Sequence, residues 1–249
     1  MKRALIEILS IGLGYDSPST PMTGLPAADQ DCLLSNELFE KLVEERGMVL
    51  MSTEEKEGRL IHDVIPIQGK EGDYSNEGST FFPFHVEVPH YSLEDRPDYI
   101  MFLCVRGCKA ARTLVIELDK LLPVLRSNML PVDFKMLFTE SFSLRTGVSF
   151  GGKETHTTAI LHNVGDEVMI TLDLAEMSGI SSAAQKVLDK VKSLIDAFYL
   201  SIVTEIPTKR GDVLVFDNKR CIHARNNYSE AVVYDGTQRW IKRGYLKLK

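Results

Sequence analysis

Apolar residues in this chain come mainly in runs of strand length, separated by turns rich in Gly, Pro, Asn and Asp. Val49-Leu50-Met51, His62–Ile67, Thr113–Ile116, Val168–Leu172 and Val213–Phe216 read as strands. Tyr99-Ile100-Met101-Phe102-Leu103-Cys104-Val105 is apolar at every position, which is expected of a central strand covered on both faces. Helical periodicity is confined to a few stretches. Leu38, Phe39, Leu42 and Val43 share one face of a helix over Leu34–Arg46, with Ser35 as its expected cap. A short helix is expected over Asp119–Arg126. Val187, Leu188, Val191, Leu194, Ile195 and Phe198 form the stripe of a longer one, with Ser182–Gln185 as its capping box. Residues 13–30 read as a loop, 68–78 as a mobile loop, and 139–166 as hairpins or a site-forming loop. A last strand is expected from Arg239 to Leu248. Many short strands with a few helices predict a mainly β fold, a sandwich or barrel core carrying helices outside.

Composition narrows the picture. The chain has 249 residues, of which 44% are hydrophobic, enough for a core, and no internal repeat or linker divides it, so one domain over 1–249 is expected. The net charge of -6 argues against a nucleic-acid partner. Cys32, Cys104, Cys108 and Cys221 form no Cys-x-x-Cys pair and fit reduced thiols of a cytoplasmic protein. No apolar run reaches the length of a membrane span, and the run after Met1 is broken by Glu7, so a first strand or helix is expected there rather than a signal peptide.

Candidate chemistry lies in Phe84-His85-Val86-Glu87. On a strand, residues i and i+2 face the same way, roughly 6–7 Å apart, so His85 and Glu87 can converge on one ion. With a second histidine they would occupy one face of an octahedron, the arrangement of non-haem Fe(II) oxygenases. Taken singly the pattern is weak, because about one His-x-Asp/Glu arises by chance in such a chain. Gly211–Asn218 reads as turn, strand, turn, and His223, placed just after that strand and its turn, is the second histidine. Period two puts Arg239 and Arg243 on one face of the last strand, about 13 Å apart, where two guanidinium groups could hold two different carboxylates. A solvated basic strand end explains the same residues.

Gly211–Arg225, followed by Gln238-Arg239-Trp240-Ile241-Lys242-Arg243, resembles the C-terminal signature of the clavaminate synthase-like Fe(II)/2-oxoglutarate oxygenases. Phe84–Glu87, then Arg96-Pro97-Asp98-Tyr99 and Leu103–Arg106, resembles their first metal motif and the strand after it. The likeness is ordered along residues 60–249, and its spacing is similar to the free amino-acid hydroxylases, such as the asparagine oxygenases and arginine β-hydroxylases. The resemblance implies a double-stranded β-helix (jelly roll) with flanking helices. It implies His85, Glu87 and His223 as catalytic iron ligands, and Arg239 and Thr113 as contacts to 2-oxoglutarate. Arg243 would hold the substrate's α-carboxylate, and Asp173 lies in the segment that would contribute a lid or side-chain contact, or it ends a strand. The implied reaction is hydroxylation at Cβ or Cγ of a free amino acid or a derivative, with Fe(II), 2-oxoglutarate and O2, in natural-product metabolism, by a monomer or homodimer. Desaturation, epoxidation or cyclisation on the same scaffold, and a non-catalytic metal-binding jelly roll, remain open. The Val88-Pro89-His90 flank, where relatives often carry small or acidic residues, and a slightly long gap from His223 to Arg239 are departures from the pattern.

Overall fold

The computed structural model describes residues 5–14, 16, 19–23 and 30–249. Parts of the loop expected over 13–30, and the first four residues, lie outside them. Two antiparallel sheets face one another. The larger runs β1 (Ile6–Ser10), β13 (Asp212–Asp217), β5 (Tyr99–Arg106), β15 (Trp240–Leu248), β2 (Met48–Met51), with β3 (Ile61–Val64) also paired to β15. The smaller runs β12 (Val203–Pro207), β6 (Arg112–Glu117), β14 (Cys221–Arg225), β4 (Phe82–His85). Neighbours in the sheets are far apart in sequence, as the crossovers of a jelly roll require. The fold is mainly β with flanking helices, a double-stranded β-helix.

Strand periodicity explains the layers. On β5, Ile100, Phe102 and Cys104 point between the sheets, where they meet Val115, Leu214, Phe216, Ile241 and Tyr245. Tyr99, Met101 and Leu103 point outward and are covered by Phe39, Leu42 and Val43 of α1 (Gln30–Glu45). Both faces are therefore dry, which is why the strand is apolar throughout. The smaller sheet's outer face, Leu114, Ile116, Ile222 and Ala224, is covered by α2 (Leu118–Asn128) and α4 (Ser182–Ala197). Its inner face carries the polar side chains of Thr113, His223 and Arg225. Close approach of α1 to β15 depends on Gly244: a Cβ there would lie 2.6 Å from Phe39 Cε1 and 2.8 Å from Leu50 Cδ2.

Helix ends differ from expectation. α1 starts at Gln30, so Ser35 lies inside it, buried, and does not cap it. The cap of α4 is Ser181, whose hydroxyl accepts the Ala184 N–H at 3.1 Å; Gln185 instead folds back to accept the Gly179 N–H at 2.8 Å. Two adjacent serines compete for one cap, and the pattern cannot choose between them. A helix over Pro131–Met136 (α3) was not expected. Residues 139–166 and the strand after them form hairpins, β7 (Phe142–Arg145) with β8 (Thr155–Thr158), then β9 (Leu161–Val164) with β10 (Glu167–Ile170). The 68–78 loop is braced from within, Ile67 N–H to Glu77 C=O and Ser79 N–H to Glu71 C=O, both 2.9 Å. Arg225 fastens it to the sheet by donating to Ser75 C=O at 2.8 Å.

Candidate active site

β4 and β14 are neighbours, and their register sets His85 opposite His223. The two rings lie 4.2 Å apart between centroids. Glu87, two residues along, brings Oε1 to 3.4 Å from His223 Nε2 and 4.0 Å from His85 Nε2. All three side chains are buried, and their donor atoms lie within 4.8 Å of one another, the one such cluster found among the described residues. His85 Nδ1 donates to Pro83 C=O at 2.8 Å, which leaves the Nε2 lone pair facing the cluster. His223 is held by the rings of Phe216 and Phe102 instead. Burial and the neighbouring His85 push His223 down to about 4, so it is a neutral donor at pH 7. Burial would raise Glu87, but Arg243 and His223 outweigh it and hold the carboxyl well below the usual range. Two imidazoles and one carboxylate on one face suit an Fe(II) ion with open positions opposite.

A cavity on one side of the cluster is lined by Thr113, Arg225 and Arg239, with Val64 and Phe102 as its apolar walls. Arg239 is 5% exposed and lies just before β15; its Nε has no hydrogen-bond partner, and no ion pair to it is found among the described residues. A buried guanidinium without an anion is costly, so the charge and lining of this cavity suit a carboxylate. Thr113 stands on the adjacent strand, paired with Arg225. A second cavity, which also borders the cluster, is lined by Tyr74, Asn76, His90, Phe150 and Asp173. Asp173 bridges to His85 through the backbone, and its Oδ1 accepts the N–H groups of Ala175 (2.9 Å) and Glu176 (3.1 Å). Burial raises its pKa.

Arg243 lies between the two cavities and has protein partners. It pairs with Glu55 and donates to Glu87 Oε1 at 3.1 Å, to Asn76 Oδ1 at 3.0 Å and to His62 Nδ1 at 2.6 Å. Tyr245 donates to Glu55 Oε2 at 2.5 Å and to Glu87 Oε2 at 3.1 Å. Burial would raise Glu55, but Arg243 beside it brings it down to about 2. Sequence reasoning missed Glu55, Asn76 and Tyr245. Glu55 sits in a short polar turn where Lys56 and Glu57 take left-handed φ of 52° and 60°, and such a turn carries no periodic signal. The one available clue was the expectation that Arg243, sharing a strand face with Arg239, takes a carboxylate of its own.

No protein-family model matches the chain. L-asparagine oxygenase of Streptomyces coelicolor is 29% identical over 202 residues, covering 77% of this chain and 55% of that protein. Clavaminate synthase 2 of Streptomyces clavuligerus is 28% identical over 255 residues, covering 96% and 73%. L-lysine 3-hydroxylase of Catenulispora acidiphila is 26% identical over 235 residues, covering 92% and 63%. The chain thus spans between about half and three quarters of the length of these relatives. A crystal structure of asparagine oxygenase with Fe(II), 3-hydroxyasparagine and succinate superposes with a TM-score of 0.83 at 25% identity, covering 97% of this chain and 73% of that one. The non-haem iron oxygenase OrfP, solved with Fe and α-ketoglutaric acid, shares the fold at a TM-score of 0.81 and 23% identity, covering 99% and 76%. By sequence and by fold, the chain is similar to asparagine oxygenase, clavaminate synthase and amino-acid hydroxylases, the clavaminate synthase-like Fe(II)/2-oxoglutarate-dependent oxygenases.

Proposed function

We propose that the chain is a single Fe(II)/2-oxoglutarate oxygenase domain that hydroxylates Cβ or Cγ of a free amino acid or a close derivative, in natural-product metabolism. His85, Glu87 and His223 would hold the iron. Arg239 would hold the distal carboxylate of 2-oxoglutarate by a bidentate pair, with Thr113 beside it. Bound iron and 2-oxoglutarate supply, with O2, the oxidising power for an unactivated C–H bond, with succinate and CO2 as the co-products. The protein's part is to bind, orient and exclude water.

The observation that carries the substrate class is the Arg243–Glu55 pair beside the cluster. With iron on Glu87, that carboxylate's charge is taken up by the metal, and Arg243 and Glu55 remain as one cation and one anion. Such a pair is complementary to a zwitterion: the α-carboxylate on Arg243, the ammonium group on Glu55, with the Asn76 amide within reach of both. Head-group capture there would hang the side chain in the cavity lined by His90, Phe150 and Asp173. The Asp173 carboxylate would then contact its end. A non-catalytic metal-binding module has no use for the unpaired Arg239 or for this pair.

The test compares a reactive amino acid with its methyl ester, its amide and a carrier-bound aminoacyl form. The free acid should be turned over and the others poorly, and Arg243→Gln should raise KM for the amino acid far more than for 2-oxoglutarate. Equal turnover of ester and free acid would contradict the zwitterion reading.

A further inference from the structure

After His85 the chain leaves its neighbour. His85↔His223 is the last pairing of β4 with β14 at this end, and the next amide, Val86 N–H, bonds Leu172 C=O at 2.9 Å. Among the described residues, no strand pairs with the peptide groups of Glu87. Both are met by one side chain. Asn218 Oδ1 accepts the Glu87 N–H at 2.8 Å, and Asn218 Nδ2 donates to Glu87 C=O at 3.0 Å and to Pro97 C=O at 3.3 Å. Asn218 is fully buried, and its own N–H donates to Asp98 C=O at 2.9 Å. Glu87 presents one donor and one acceptor, so the amide can sit only one way round. In effect a side-chain amide stands in for the missing strand.

The backbone beyond Glu87 is strained. Val88 is β-branched and buried, yet has φ of 53°, the left-handed region such residues avoid. Strain of this kind persists only where the surroundings impose it. Here Asn218 grips the residue before it. Buried Arg96 grips the residues after it, donating to the carbonyls of Pro89 at 3.1 Å and Tyr91 at 3.3 Å while also holding Ile170 C=O. The turn that carries Asn218 leads, five residues on, to His223. One turn therefore supplies a histidine of the cluster and fixes the backbone of its carboxylate.

We infer that Asn218 is the positioning residue for Glu87: by clamping both peptide groups of Glu87 against the strained Val88, it sets the carboxylate within reach of the two histidines. The inference rests on the reading of the cluster as a metal site. Without the clamp, the Glu87 peptide can rotate, and its carboxylate can follow Arg243 and Tyr245 away from His223.

The test uses Co(II), which does not redox-cycle, titrated anaerobically into the metal-free 249-residue chain carrying Asn218→Ala or Asn218→Asp. The aspartate keeps the shape but cannot donate to Glu87 C=O when ionised. Both variants should bind Co(II) about 10- to 100-fold more weakly, the usual cost of removing a group that orients a ligand, and should show an altered Co(II) visible spectrum. Leu188→Ala, in the core under α4, should lower Tm yet leave Co(II) affinity unchanged, which separates positioning from general destabilisation. The unsubstituted metal-free protein should show a Glu87 amide proton protected from exchange, a measurement that needs no variant to fold. A cooperatively melting Asn218 variant with Co(II) affinity within about threefold of the unmodified protein overturns the inference. So does a Glu87 amide that exchanges as freely as an unbonded one. Failure of the unmodified protein to bind Co(II) overturns the metal reading itself, whatever the exchange result.

Discussion

Replacing Glu55 by Gln removes one charge and little volume from the centre of the proposed substrate site. Glu55 is 3% exposed, pairs with Arg243, and accepts the Tyr245 hydroxyl. In the proposed complex it receives the substrate's ammonium group. A hydrogen bond between charged partners is worth about 1.5–3 kcal/mol. At 1.36 kcal/mol per factor of ten, kcat/KM for the amino acid should fall about 10- to 150-fold. The affinity for 2-oxoglutarate should barely change, because Arg239 and Thr113 line a cavity that Glu55 does not line. Stability should fall as well. The displacement of Glu55 from 4.5 to about 2 corresponds to roughly 3 kcal/mol of favourable ionisation in the fold. Its folded pKa is depressed, so this contribution is complete above about pH 4.5 and is lost as pH falls toward 2. The stability difference between the unmodified protein and Glu55→Gln should therefore shrink over that window. Steady-state kinetics with both substrates varied, together with urea melts at pH 7 and pH 3, measure all of this. An unchanged KM for the amino acid, or an equal loss of affinity for both substrates, would refute the reasoning.

Arg239→Ala should weaken 2-oxoglutarate binding at least 10-fold, since a charge-assisted bidentate pair is lost from an enclosed site; calorimetry of the anaerobic iron-loaded protein checks it, and an unchanged affinity would move that role elsewhere. His85→Ala and His223→Ala should each abolish the weak visible band that forms when Fe(II) and 2-oxoglutarate are added without oxygen, and full iron binding in both would sink the ligand assignment. Gly244→Ala should cost about 1–3 kcal/mol from overpacking against Phe39 and Leu50, lowering Tm by about 2–10 °C; a Tm within a degree of the unmodified protein would show that α1 shifts freely on the sheet.

Strand residues were legible because period two is a strong local signal. The apolar run of β5 announced a strand covered on both faces, and His85 and Glu87 announced a shared face. That His223 lands opposite His85 follows from the sheet order, which no local pattern encodes. The physical demand of Arg243 for an anion was also legible, but its source was not. Glu55 is 188 residues away and sits in a turn of left-handed residues. Asn218 read as an ordinary turn residue, because Asp-Asn pairs are common in turns and nothing local shows an amide turned toward the peptide of Glu87. The helix caps failed for a narrower reason: Ser181 and Ser182 are both good caps, and what selects Ser181 is its extended backbone, φ of -140° and ψ of 164°, which the local pattern does not encode.

The central claim is best tested by following succinate formed from 2-oxoglutarate with Fe(II) and O2 in the presence of a panel of free L-amino acids. At least one amino acid should stimulate succinate formation well above the uncoupled background. It should yield one hydroxylated product per succinate, and both signals should vanish in His223→Ala. Succinate formation that no free amino acid stimulates, or that persists in His223→Ala, would contradict the account.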